Sequence, residues 1–141
     1  MKSTLKPGVT HIHRFTVTDA KTVPNLYPEA ASFKEMPRVF ATGYMVGLLE
    51  WACIELMRPH LEPGEGSLGI HIDVSHTAAT PAGMTVTVEA KVEAVEGKRV
   101  EFSVVLHDGI DEIGRGKHRR AVVAWDKFNA HIAAKAARAS R

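Results

Sequence analysis

The fold of this chain is decided by the stretch Gly43-Tyr-Met-Val-Gly-Leu-Leu-Glu-Trp-Ala-Cys-Ile-Glu-Leu-Met57. Its residues are almost all apolar, and a helix that is apolar all round is typical of a protein interior. Thr42 is placed to cap its start, and Pro59 closes it because the residue before a proline is disfavoured in helical conformation. Glu50 lies in its middle, where a buried carboxylate is costly unless it is paired or used. We therefore predict a buried central helix with Glu50 as a candidate functional residue.

Strand-like alternation flanks this helix on both sides. Residues 10–18 alternate loosely and predict a first strand. Four later strands are predicted around residues 68–76, 86–94, 100–106 and 114–125, with hairpin signals at Glu96-Gly97 and Asp108-Gly109. The economical arrangement is an α+β hotdog architecture, in which a curved antiparallel sheet wraps around the long helix. The outer edge of such a sheet and the apolar excess favour a homodimer, with a dimer of dimers left open.

Two segments lie outside this helix and sheet. Residues 19–38 contain three prolines and no clean periodicity, and long irregular segments within compact domains are usually lids or binding loops. Residues 127–138 predict a short Ala-rich helix capped by Asp126, and a basic tail continues to Arg141. No internal repeat divides the chain, so we expect a single domain over residues 1–141.

The bulk composition is that of an ordinary soluble protein, with 45% hydrophobic and 24% charged residues. A single cysteine, Cys53, excludes an internal disulfide. The N-terminal residues lack the apolar core of a signal peptide, and the run that ends at Met57 is too short to span a membrane. We therefore expect a cytoplasmic protein with no membrane partner.

Basic residues cluster within a chain of net charge only +2, at Arg115, Lys117, His118, Arg119 and Arg120. The cluster has two interpretations, a solvated strand face or an anion site for phosphates. It contains no interleaved aromatic residues for base stacking, so we do not expect a nucleic-acid partner.

His76 completes the candidate chemistry. It shares its parity with Ile70, Ile72 and Val74, which predicts that its ring points inward. A carboxylate and an imidazole are the minimum set for acid–base or nucleophilic catalysis. The alternative is structural: a core histidine with satisfied hydrogen bonds, and a Glu50 bonded to the backbone or to a partner chain. The other histidines show no zinc spacing, so we predict neither a metal nor another cofactor.

A resemblance to a known family covers most of the chain, about residues 10–130. It is carried, in order, by Phe40-Ala-Thr-Gly-Tyr-Met-Val-Gly-Leu-Leu-Glu-Trp-Ala-Cys53, Leu61-Glu-Pro-Gly-Glu-Gly-Ser-Leu-Gly69, His76-Thr-Ala-Ala-Thr-Pro-Ala-Gly-Met-Thr-Val86, Val95-Glu-Gly-Lys-Arg99, His107-Asp-Gly-Ile-Asp-Glu-Ile-Gly114 and Lys127-Phe-Asn-Ala130. Together these stretches resemble the fluoroacetyl-CoA thioesterase-like group of hotdog thioesterases.

The resemblance implies hydrolysis of a short acyl-CoA thioester by a homodimer, without metal. It also implies a triad, matched here by Thr42, Glu50 and His76, with Glu50 acting as nucleophile or as general base on water. Thr42 and Glu50 are eight residues apart, about 12 Å along a helix axis. They would meet only through a bent entry segment, a bound substrate or water, or a dimer contact. The family's glycine beside the reacting carbonyl matches Gly69, and its arginine at the mouth of the site matches Arg120.

The lid aromatics of the family match less completely. Phe33 is present, whereas Met36 occupies the second aromatic position, which is tied to recognition of the fluorinated acyl group. Methionine is flexible and adaptable, so we expect a general short-chain acyl-CoA thioesterase without fluorine selectivity. Two alternatives stay open, a non-catalytic acyl-CoA binding module and a hotdog hydratase or dehydratase. Many hydratases place their histidine before the carboxylate-bearing helix, the reverse of the order here.

Overall fold

A computed structural model describes residues 1–140, so Arg141 at the end of the predicted basic tail lies outside the described residues. The regular elements are strands β1 to β5, helices α1 to α3 and three single-turn 3₁₀ helices. In chain order they are β1 (Thr10–Thr16), 3₁₀ helices at Asp19–Lys21 and Val23–Asn25, α1 (Ala31–Lys34), α2 (Thr42–Met57), a 3₁₀ helix at Arg58–His60, β2 (Glu65–Val74), β3 (Thr85–Glu96), β4 (Arg99–His107), β5 (Glu112–Ala124) and α3 (Trp125–Ala139).

The five strands form one antiparallel sheet in the order β1-β3-β4-β5-β2, and the long helix α2 packs against it. The alternation of β4 places one side chain in two in the core, from Val100 through Phe102 to Leu106. The core face of α2 packs on this layer through residues that include Met45, Leu49 and Cys53. The predicted antiparallel sheet with a central helix is thus confirmed.

The prediction that α2 is buried on all sides is wrong for the single chain. One sheet covers only one face of a helix, and the opposite face leaves Gly47, Trp51 and Ile54 exposed. The edge strand β2 also leaves Ile70 and Ile72 exposed, at 46% and 39%. The chain therefore carries uncovered apolar surface along α2 and along one edge of the sheet.

The two predicted helix caps are also wrong. Helix α2 begins at Thr42 itself, with Ala41 at the N-cap position and no side-chain cap. The Ala41 carbonyl accepts the first backbone hydrogen bond of the helix, from Met45 at 2.9 Å. The Thr42 hydroxyl therefore does not serve as the helix cap. Helix α3 begins at Trp125, so Asp126 lies inside its first turn, where a negative charge still favours the helix dipole.

Ile72 and Val74 keep the inward parity from which His76 was placed, although β2 carries a bulge. A register shift between Gly69 and His71 marks a β-bulge, which removes Leu68 from the face shared by the later residues, while Ile72 pairs with the buried His118. The strand ends at Val74, so His76 lies in the following loop rather than on the strand. Its ring still points toward α2, where it contacts Thr42, and its Nε2 atom is buried.

Residues 19–38 form a largely irregular segment that contains short helices and is joined across its base. The Arg38 guanidinium donates to the Asp19 carboxylate at 2.8 Å, and the Val23 N–H donates to the Val39 carbonyl at 2.9 Å. Within residues 1–140, no helix has the length and apolar character needed to cross a membrane.

Candidate active site

The first group of the site joins the start of α2 to the loop after β2. The Thr42 hydroxyl and Nδ1 of His76 are 2.8 Å apart. The other ring nitrogen, Nε2, is buried and has no hydrogen-bond partner among the described residues. Burial lowers the pKa of His76, and a hydrogen bond with the backbone of Ala78 offsets part of that change. A neutral imidazole is therefore favoured at neutral pH, which leaves it able to accept a proton.

The loop that carries His76 is fixed by a buried contact to the β4–β5 hairpin. The Thr80 hydroxyl donates to the Asp108 carboxylate at 2.8 Å, and the Thr80 carbonyl accepts the N–H of Phe40 at 2.8 Å. Asp108 also accepts the backbone N–H groups of Ile110 and Asp111. These bonds hold the His76 loop against the residues that lead into α2.

The second group lies farther along α2 and is an ion pair. Nη1 of Arg120 donates to Oε1 of Glu50 at 3.1 Å. The Arg120 side chain is 4% exposed and the Glu50 side chain 36% exposed, so the cation is buried while the carboxylate reaches open space. Its second oxygen, Oε2, makes no hydrogen bond within residues 1–140. The carboxylate is thus held at one oxygen and available at the other.

The Arg120 guanidinium is itself fixed by two further residues. Its Nε and Nη2 atoms donate to the Ser67 hydroxyl at 2.8 Å and the Ser67 carbonyl at 3.0 Å. Nη1 also lies 3.2 Å from Nε2 of His118, whose Nδ1 lies 2.8 Å from the His71 carbonyl. Burial lowers the pKa of His118, which keeps this ring neutral.

Gly69 faces this ion pair from β2. A Cβ atom at this position would overlap Oε1 of Glu50 and would lie 3.2 Å from Cε1 of His118. Gly69 is paired with Arg120 across the β2–β5 ladder, next to the bulge. A glycine is therefore needed here because of the close approach of the Glu50 carboxylate.

The structure does not bring the three predicted triad residues together within one chain. Thr42 contacts His76, whereas Glu50 contacts Arg120, and within residues 1–140 no hydrogen bond joins the two groups. Thr42 is the first residue of a continuous helix, which removes the bent entry segment as an explanation. A bound substrate or water, or a second protomer, remains to connect the groups.

The basic cluster predicted from residues 115–120 does not form one surface. Because a strand alternates its side chains, Arg115, Lys117 and Arg119 are exposed on one face while His118 and Arg120 are buried on the other. Arg119 pairs with Glu101 at 3.2 Å. Arg120 therefore lies beside Glu50 and not on an exposed anion site.

The two expected lid residues lie apart from both groups. Phe33 is half-buried and stacks on Tyr27 with a ring separation of 5.9 Å, and Met36 is 47% exposed. The segment reaches α2 through Leu26, whose side chain would lie 3.3 Å from a Cβ at Gly43. Leu26 thus covers the helix next to Thr42, which sequence reasoning missed.

Sequence reasoning also missed Ser67 and His118 as neighbours of Glu50. Both fall in segments that attracted attention for other reasons, Ser67 in the family resemblance and His118 in the basic cluster. A cavity of about 710 Å³ adjoins this group, between Ile54 of α2, Ser67 of β2 and Trp125 of α3. It meets the group at Ser67, and Glu50 and Arg120 are not among its lining residues.

Comparison with known proteins identifies the class first. A solved hot-dog-like protein from Thermanaerovibrio acidaminovorans superposes with a TM-score of 0.78 at 23% identity, covering 92% of this chain and 91% of that one. The helix, the antiparallel sheet and this likeness together define a hotdog-fold protein.

The particular family follows from closer matches. A family model described as fluoroacetyl-CoA-specific thioesterase matches residues 17–126. The fluoroacetyl-CoA thioesterase of Streptantibioticus cattleyicolor is 57% identical over 132 residues, 94% of this chain and 95% of that protein. A variant of the fluoroacetyl-CoA thioesterase FlK, solved in complex with acetyl-CoA, superposes with a TM-score of 0.91 at 56% identity, covering 93% of this chain and 98% of that one. The chain belongs to this thioesterase family, which confirms the family and the enzyme class expected from its sequence.

Proposed function

We propose that this protein hydrolyses short-chain acyl-CoA thioesters to the free acid and CoA, with Thr42, Glu50 and His76 as the reacting groups. Membership of the family and the acetyl-CoA complex of a FlK variant support the substrate class. One observation carries the assignment: a buried Arg120 holds Oε1 of Glu50 and leaves Oε2 unbonded among the described residues.

Thioester hydrolysis needs an activated nucleophile, stabilisation of the carbonyl oxygen and departure of the thiolate. Glu50 either attacks the acyl carbon through Oε2 or deprotonates a water that does so, and both routes use the same fixed carboxylate. The CoA thiolate is a good leaving group, so strong acid assistance is not required. The backbone N–H of Gly69 lies on the strand beside Glu50 and is our candidate donor to the carbonyl oxygen.

His76 and Thr42 supply the second half of the chemistry. The lowered pKa of His76 favours its neutral form. If Glu50 attacks directly, the thiolate leaves and a mixed anhydride forms, and the His76 ring then takes a proton from the water that hydrolyses the anhydride and passes it to the thiolate. If Glu50 deprotonates the water, Glu50 holds that proton for the leaving thiolate and His76 polarises the carbonyl. The Thr42 hydroxyl, 2.8 Å from Nδ1, orients that ring or donates to the acyl oxygen.

We propose a homodimer in which the site is completed between protomers. The exposed face of α2 and the free edge of β2 supply the apolar surface, including Ile54, Ile70 and Ile72. Edge strands readily pair with a second chain. A partner covering this surface would allow the Glu50 group and the Thr42–His76 group of one site to come from different protomers.

Mixing two inactive variants tests this arrangement. Glu50→Gln and His76→Ala protomers, each inactive alone, would form heterodimers with one intact site if the groups come from different chains. An equimolar mixture should then recover about a quarter of wild-type activity, because random pairing makes about half of the dimers mixed and each of these has one intact site of two. Subunit exchange would be verified by mass spectrometry. If the mixture then shows no more activity than the separate variants, both groups of a site lie in one chain.

Residues 19–38 are proposed as the lid of this site. Leu26 lies over α2 beside Thr42, and Phe33 and Met36 belong to the same segment. The flexible thioether of Met36 replaces a rigid ring, so we propose a general preference for short acyl groups over selectivity for fluoroacetyl-CoA. Met36→Phe should raise the ratio of kcat/KM for fluoroacetyl-CoA over acetyl-CoA, and an unchanged ratio would remove Met36 from selectivity.

We also propose that the chain acts as one domain over residues 1–141 and that it works in the cytoplasm. A single connected core supports one domain. The only cysteine, Cys53, is buried, and burial raises its pKa to about 12, so it remains an unreactive thiol.

Free-thiol release from a panel of acyl-CoAs tests the function directly. Fluoroacetyl-, acetyl-, propionyl- and phenylacetyl-CoA would be compared with wild type, Glu50→Gln and the control Glu55→Gln. Glu55 is an acidic residue on the same helix that pairs with Arg58 at 2.8 Å and not with Arg120. Turnover that is lost in Glu50→Gln alone supports the proposal. Acyl-CoA binding without turnover would favour a binding module, and hydration of crotonyl-CoA would favour a hydratase.

A further inference from the structure

His118 is a fully buried histidine in which both ring nitrogens are occupied. Nδ1 lies 2.8 Å from the His71 carbonyl, and Nε2 lies 3.2 Å from Nη1 of Arg120. A carbonyl only accepts, so Nδ1 must carry the proton, and Nε2 must accept from the guanidinium. The surroundings therefore fix a single tautomer of this ring.

This tautomer determines where the Arg120 donors point. Ser67 takes the hydrogens on Nε and Nη2, and Nη1 is shared between Glu50 and His118. A guanidinium is planar and its donors are rigidly spaced. Because one Nη1 hydrogen is directed to His118, the second is turned toward Oε1 of Glu50.

We propose that His118 is a positioning residue of the active site, which acts through Arg120 to set the direction of the Glu50 carboxylate. This inference rests on the proposed function and adds a residue that touches no reacting atom. Its ring accepts one hydrogen of Nη1, and the guanidinium in turn fixes Oε1 and leaves Oε2 for the substrate. Gly69 supplies the space in which carboxylate, guanidinium and imidazole meet.

Protonation of His118 would dismantle this arrangement. The ring would lose its only acceptor and would place a second cation beside Arg120. The groups that face it are Arg120 on its own strand, Glu50 on α2, His71 on β2 and the uncharged ring of Phe102 on β4. Burial lowers the pKa of His118, the His71 backbone and Glu50 oppose that change, and Arg120 and the His71 ring reinforce it. The acceptor is therefore present near pH 7 and is lost in acid.

Two substitutions separate positioning from packing. His118→Gln keeps an acceptor near the position of Nε2 and does not titrate, whereas His118→Leu fills similar space without an acceptor. Phe102→Leu is the matched control, because Phe102 is buried and stacks on His118 at 6.3 Å without bonding to it. Loss of one hydrogen bond to a charged group predicts a fall in kcat of roughly tenfold in His118→Leu, with KM little changed.

The pH dependence gives a readout that packing alone would not move. In wild type, protonation of His76 and of His118 both reduce kcat below neutral pH. His118→Gln should keep most of the wild-type kcat at pH 7 and show a less steep acid limb, since His118 no longer titrates. Phe102→Leu should keep the wild-type shape. Wild-type kcat and an unchanged acid limb in both His118 variants would overturn the proposal.

Nitrogen NMR of the imidazole rings tests the same geometry without turnover. The His118 signals should show the Nδ1–H tautomer, and His118→Gln identifies them. An Nε2–H tautomer would overturn the inference, even in an active enzyme. A wild-type protein that hydrolyses no acyl-CoA would refute the proposed function, while the tautomer would still decide the role of His118 toward Arg120.

Discussion

Gly69→Ala gives the sharpest test of how the Glu50 carboxylate is held. Gly69 has no left-handed backbone conformation, so alanine is allowed there by its dihedral angles, and it keeps the backbone N–H. Only space opposes it, because the new methyl group would overlap Oε1 of Glu50 and crowd His118 at 3.2 Å. Restoring ordinary contact distances requires the carboxylate to move by about 1 Å.

The same displacement has unequal effects on stability and on activity. The overlapping atom is the end of a side chain that is 36% exposed, so it can turn away. The free energy of unfolding should then fall by only about 1 kcal/mol, the low end for overpacking, which corresponds to about 4 °C in Tm. A displacement of about 1 Å at the reacting group lowers kcat by roughly a hundredfold.

Thermal denaturation and thiol release on the same preparation measure both quantities. The double variant Glu50→Gln/Gly69→Ala is the control, and it should be no less active than Glu50→Gln alone if Gly69 acts through Glu50. Wild-type kcat in Gly69→Ala would refute the reasoning. A further loss in the double variant would mean that Gly69 acts on the substrate by itself.

Three more predictions concern Thr42, Asp108 and Arg120. Thr42→Ser should keep most of the initial rate and Thr42→Ala should lose it, because only serine retains the hydroxyl bonded to His76; equal rates would contradict that role. Asp108→Ala should lower the free energy of unfolding in urea by about 2 kcal/mol, since three donors lose their acceptor. Burial raises the pKa of Asp108, but its hydrogen bonds lower the pKa by more, so the net pKa lies below its ordinary value of 3.8. The stabilisation by Asp108 is therefore complete above pH 3.8 and is lost as the pH falls through the lowered pKa. The Asp108→Ala deficit should therefore shrink in acid, and a constant deficit would be the contrary result. Arg120→Lys should lower kcat more than it raises KM in steady-state assays, because lysine keeps the positive charge but cannot reproduce the guanidinium bonds to Ser67 and Glu50. A change in KM alone would indicate that Arg120 binds substrate instead of holding Glu50.

The sequence predicted the elements well because their periodicity is local. Alternation from Val100 to Leu106 corresponds to β4, and the apolar run around Glu50 corresponds to α2. Burial of the whole helix could not be judged in the same way. A single chain supplies one sheet, which covers one face, and the residues on the other face are equally apolar.

The partners of the site residues were beyond sequence reasoning because they depend on strand register. Glu50 and Arg120 are 70 residues apart, and the β2–β5 ladder that places Arg120 opposite Gly69 brings them together. The bulge after Gly69 removes Leu68 from the face that Ile72 and Val74 share, which the sequence pattern did not reveal. Thr42 shows a different limit, because a threonine before an apolar run suggests a cap, whereas its hydroxyl is bonded to a loop more than 30 residues away.

The closed base of residues 19–38 separates this surface segment from the Glu50 and Arg120 group on α2 and β5. Asp19 is bound to Arg38 and Val23 to Val39, so the segment leaves and rejoins the body at one place. Between these anchors Pro24 is buried and Leu26 approaches α2 at Gly43, while most of the other residues are exposed. If residues 19–38 form the proposed lid, acyl preference can change by substitution within one surface segment while the Glu50–Arg120 ion pair is left intact.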